Sequence, residues 1–133
     1  MWNKLVGVLR GSKVSVWFKP LWQGALIRVA RAVMAWLTEE GAKEIQKDVK
    51  KAGKGISALL DSACLKLKGG IKDSFIPDAL EPVLIGKVDE FFPLIKAKLD
   101  PILADGASGI VEARFRLFMI HATAQLENQI RAL

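Results

Sequence analysis

The sequence has no tyrosine, one histidine (His121) and one cysteine (Cys64). A lone cysteine excludes an internal disulfide framework. A lone histidine, with no second histidine or cysteine at ligand spacing, offers no zinc site. No N-x-[ST] sequon is present. No uncharged apolar run reaches the eighteen residues that a membrane-spanning helix needs. The start, "MWNKLVGVLR", has only Leu5–Leu9 between its basic residues, too short for a signal-peptide core. Position 2 is Trp2 and the chain closes on "IRAL", so neither the myristoylation nor the prenylation motif applies. Residues 1–38 contain no acid.

What is present is apolar and basic. Of 133 residues 51% are hydrophobic and 26% charged, and the net charge is +6. This is one domain's worth of chain, with enough apolar mass for a core. The charge is unevenly spread. Residues 1–38 hold six bases (Lys4, Arg10, Lys13, Lys19, Arg28 and Arg31), whereas residues 73–105 hold seven acids against three bases. Oppositely charged segments can complement each other within one chain or between chains.

Apolar spacing predicts an all-α fold of about four helices. Pro20 suits a first turn, followed by a helix over about 20–38. Over Leu21–Thr38, Gly24, Arg28, Arg31, Ala35 and Thr38 make one narrow stripe and almost everything else is apolar. A second helix is expected over 39–68. Its seam of Ile45, Val49, Ala52, Ile56, Leu59, Ala63 and Leu67 steps by three and four. Gly69-Gly70 reads as its stop. A third spans 78–104, with Pro82 in its first turn and Pro93 expected to kink or break it. The fourth runs over 108–132, capped by Ser108. Its stripe of Val111, Phe115, Phe118, Ala122, Leu126 and Ile130 is widened by Leu117, Met119 and Ile120, so this helix has more than one dry face. Two regions are expected: a basic, Trp-rich segment over 1–38 and a helical body over 39–133. Residues 1–19 read as extended chain or a short helix.

Catalytic chemistry is poorly supplied. His121 lies among apolar residues and reads as a partly buried, hydrogen-bonded side chain; Cys64 reads as a small core residue. "AGKGIS" lacks the hydroxyl residue that a phosphate-binding loop places after its lysine. "DGASGIVE" puts Pro101 and Leu103 where a calcium loop needs oxygen ligands. The expectation is therefore a protein that is not an enzyme, with no cofactor, metal or catalytic residue.

The stronger signal is that all four tryptophans lie within the first 36 residues, among the unopposed bases. Trp2, Trp17, Trp22, Arg28, Arg31 and Trp36 are the expected interface or lipid contacts, and Ile45, Val49, Ile56, Leu59 and Leu67 the helix-packing seam. Indole with Lys and Arg suits an anionic membrane surface, an unpaired nucleic acid or a protein interface. Few arginines in apolar surroundings favour protein subunits or lipid over nucleic acid. The composition fits a structural subunit of a larger particle, such as a minor virion component, with an intracellular or virion setting, or a peripheral membrane protein. Arg28 and Arg31, one turn apart, are expected to meet carboxylates from the acidic 73–105 region.

Overall fold

The computed structural model describes residues 14–74, 76–104 and 106–133, with side chains from Lys19 onward. It contains four α-helices: α1 (Val14–Lys47), α2 (Ala52–Lys72), α3 (Glu81–Leu103) and α4 (Ser108–Arg131). No strand occurs among the described residues. Each helix packs on two neighbours in the cyclic order α1–α2–α3–α4, and no pair crosses the diagonal. The connections are short, so consecutive helices run antiparallel in an up-and-down bundle.

One core runs through all four helices. It joins Leu26, Met34 and Leu37 of α1, Ile56 and Leu67 of α2, Leu99 of α3, and Phe115 and Met119 of α4. All eight are at most 1% exposed. α1 passes the 38/39 position without a break, so the N-terminal region from Trp22 onward belongs to the same core as the body.

The first helix boundary differs from the sequence expectation. α1 continues through Thr38–Gly41 to Lys47, and the chain turns at 48–51 instead. There Asp48 Oδ1 accepts the Lys50 N–H at 3.1 Å, and the Asp48 carbonyl accepts the Lys51 N–H at 3.1 Å. This side-chain-stabilised turn needs neither Gly nor Pro. The expected single seam is thus split between two helices. Ile45 closes α1, Val49 lies half-buried in the turn, and α2 buries Ile56, Leu60, Ala63, Leu67 and Ile71, with Leu59 only half-buried.

Other expectations are corrected by packing. Gly69-Gly70 does not stop α2, which runs to Lys72; a Cβ on Gly70 would come within 2.5 Å of Val29 Cγ1, so the glycine permits close approach of α1. Pro20 lies inside α1, six residues from its start. Pro93 and Pro101 lie inside α3 without breaking it. Both are exposed, so the carbonyls they leave unbonded, on exposed Asp89 and Ala97, lie on the wet side of the helix. Pro82 does sit in the first turn of α3. Ser108 is the first helical residue of α4 rather than its cap; Ala107 holds that place, with no side-chain cap.

Candidate interaction surfaces

α1 is wrapped by α2 on one side and α4 on the other, and this decides the fate of its tryptophans and arginines. Trp22 is 3% exposed and sits in the bundle's own core, so it is not available as an external contact. Trp36 is half-buried, and the Lys66 ammonium of α2 lies 3.6 Å from the centroid of its ring. That cation–π contact occupies an indole face expected to serve a partner. Trp17 belongs to α1 by its backbone, with its side chain outside the described residues, and Trp2 lies outside them entirely.

The arginine stripe does point away from the core. Arg31 pairs with Glu127 of α4 in a two-pronged contact, Nε to Oε1 at 2.5 Å and Nη2 to Oε2 at 3.2 Å. The carboxylate thus comes from the last helix, not from the acidic 73–105 region. Hydrogen bonding to Arg31 is the main cause that lowers the Glu127 pKa from its ordinary value. Arg28 is exposed and forms no ion pair with the described residues. Further along the same helix pair, Arg116 reaches Glu39 at 3.0 Å, and Gln46 donates to Glu112. Between the two arginine pairs lies an open groove of about 390 Å³, floored by Ala35, Thr38, Met119 and Thr123. Its charges are already matched in sign, which leaves no net field to select an ion.

No protein-family model matches the chain, and neither does any curated protein or solved structure. The surfaces themselves must therefore carry any functional reading.

His121 is exposed on the outer face of α4 rather than partly buried. Cys64 is half-buried, with Sγ 3.9 Å from Asp89 Oδ1, and burial is the main cause that raises its pKa. Among the described residues no three His, Cys, Asp or Glu side chains gather as a metal site. A void beneath Leu26, Leu67, Val88 and Leu126 holds about 10 Å³, room for about one water and no substrate. No helix among the described residues is long and apolar enough to cross a membrane.

Two surfaces stand out among the described residues. One is the start of α1. Gln23 Nε2 donates to the Ile130 carbonyl at 3.1 Å, which places the last turn of α4 level with Gln23. The α1 backbone from Val14 to Leu21 therefore extends beyond the end of α4. It carries Leu21, 69% exposed. The other is the outer face of α4. Ile110, Ala113, Leu117, Ile120 and Ala124 are all exposed and follow one another at steps of three, four, three and four. Those steps give a straight stripe along the side opposite the buried Phe115 and Ala122. Sequence reasoning named Leu117 and Ile120 for a second dry face on this helix but not Ile110, Ala113 or Ala124. The repeating three–four spacing was the signal that finds them.

Proposed function

We infer that the chain is a non-enzymatic helical structural protein that builds into a larger multi-subunit particle, of which a virion is one instance. Its basic, apolar N-terminal segment is the element that attaches it. The observation that carries this reading is the overrun of α1 past α4, with Leu21 exposed on it. Leu21, exposed at that end, is apolar surface that gains little from the protein's own core. Another subunit can bury that surface, and the gain is about 25 cal/mol for each Å² of apolar area removed from water. The absence of acid from residues 1–38 keeps this end basic, which suits an acidic subunit face and also an anionic lipid surface.

The mass of the purified chain in detergent-free buffer, with and without anionic vesicles, tests the reading. A defined oligomer that ignores vesicles, and that is weakened by Leu21→Asp without loss of thermal stability, supports assembly. A monomer that floats with the vesicles assigns the segment to lipid instead and overturns the assembly role.

A further inference from the structure

We propose that the outer stripe of α4 is a self-association surface, on which the α4 of a second copy of this chain lies antiparallel. This deepens the assembly reading by naming one partner, and it uses a surface separate from the start of α1.

Seven large hydrophobic side chains are exposed among the described residues, and three of them, Ile110, Leu117 and Ile120, share this stripe. They are 54%, 57% and 65% exposed. The other four, Leu21, Leu65, Val83 and Leu94, are spread over three helices. Scattered apolar residues are normal on a protein surface; a row at coiled-coil spacing is not.

The order of sizes points to a second copy rather than an unrelated helix. From Ala113 the stripe reads small, large, large, small: Ala113, Leu117, Ile120, Ala124. Read from the other end it is the same. An interface between identical copies about a two-fold axis requires a patch that is complementary to itself. Laid antiparallel, Leu117 of one copy meets Ile120 of the other in the two central layers, and Ala113 meets Ala124 in the layers on either side. The small residues there let the backbones come close.

The helix dipoles fix the direction, since antiparallel helices oppose theirs. In this register Ile110 of one copy reaches the Glu127 end of the other, where the Glu127 carboxylate is turned onto Arg31 of its own α1. From Ile110 to Ala124 the stripe is about 21 Å long at 1.5 Å per residue. A single two-helix contact of this length falls at or below the low end of specific interfaces, about 1,200 Å², so the dimer is weak and concentration-dependent. Each copy also carries a net charge of +6. Copies repel at low ionic strength, so salt should strengthen the dimer, whereas binding to an anionic surface would weaken with salt.

The experiment measures the mass of the full chain by sedimentation from micromolar to near-millimolar concentration, at low and high salt. The expected result is a monomer–dimer equilibrium that shifts toward dimer with salt, and a Leu117→Asp variant that stays monomeric with an unchanged melting curve. Orientation is read by disulfide trapping in a Cys64→Ser background with oxidised glutathione. An equimolar mixture of Leu117→Cys and Ile120→Cys chains should cross-link faster than either variant alone. A wild type that is monomeric throughout overturns the proposal, as does a Leu117→Asp chain with wild-type mass, or faster trapping of Leu117→Cys with itself. Vesicle binding by a monomer, lost on Leu117→Asp, would also overturn it and assign the stripe to lipid. If Leu117→Asp abolishes dimerisation while Leu21→Asp changes nothing, the attachment role of α1 fails and the α4 dimer stands.

Discussion

Gly41→Ala should destabilise this protein, against the usual sign for glycine in a helix. Gly41 lies well inside α1 and is buried. Replacing an interior helical glycine by alanine ordinarily stabilises by about 1 kcal/mol, because alanine loses less backbone entropy. Here a Cβ would collide with the tip of the Phe115 ring and come within 2.9 Å of its Cε2. Phe115 is 0% exposed and is the largest of the fully buried side chains, so the ring has no free space to enter. Overpacking of that kind costs about 1–3 kcal/mol. The net effect is a loss of about 1 kcal/mol and at most about 2, which at this chain length lowers the melting temperature by about 4 °C per kcal/mol. Gly24 is the control: it is on the same helix with nothing within 4 Å of its would-be Cβ. Gly24→Ala should therefore stabilise by about 0.5–1 kcal/mol. Urea denaturation of both variants separates the two signs. A third arm places Gly41→Ala in a Phe115→Leu background, where the obstructing ring atoms are gone and the alanine should become neutral or favourable. If Gly41→Ala stabilises as much as Gly24→Ala, the contact between α1 and α4 is looser than described and the argument fails.

Ile56→Asp should cost about 4 kcal/mol or more, because Ile56 is 1% exposed within the four-helix core and the carboxylate would find no partner there; a melting curve that matches wild type would refute the placement of α2. Glu127→Gln bears on pH dependence: Arg31 depresses the Glu127 pKa, so the stabilisation is present above the unfolded carboxylate value, about 4.3, and is lost as pH falls through the lower folded value. Urea midpoints should show wild type ahead of the variant at pH 7 and the gap closing as pH falls below the ordinary carboxylate range, and a gap that does not shrink in acid would mean the pair contributes through packing rather than charge.

The all-α class, the number of helices and the bounds of α3 and α4 were legible because periodic apolar spacing met clear punctuation at Pro82 and at Asp105-Gly106. The first boundary was not. At residue 39 the pattern turns from apolar to charged and reads as the start of a second helix, yet α1 continues through it, and Gly41 is small because Phe115 needs the room. The true turn is held by Asp48, whose side chain does locally what glycine or proline does elsewhere. Gly70 was misread as part of a stop because an isolated chain gives no sign that Val29 will press against it. The candidate contacts fared unevenly. Arg28 and Arg31 could be placed on an outer face from spacing alone, whereas Trp22 and Trp36 could not be told from surface residues, since indole serves cores and interfaces equally well. Arg31 took its carboxylate from Glu127 because α4, and not the acidic 73–105 segment, is the neighbour that runs beside it.

The hydrogen bond from Gln23 to the Ile130 carbonyl has a mechanical consequence. It ties α1 at Gln23 to the last turn of α4 at one pole of the bundle, on helices that lie side by side. Tension applied between those two points does not stretch the helix pair along its length. It peels the pair apart from one end, so the contacts between α1 and α4 are loaded a few at a time, beginning with Gln23, then Arg31–Glu127, then Gly41 against Phe115. Shear along the same helices would load them all together. The helix pair should therefore yield at low force when pulled apart between Gln23 and Ile130, and resist far more when gripped at Gln23 and at the opposite end of α4.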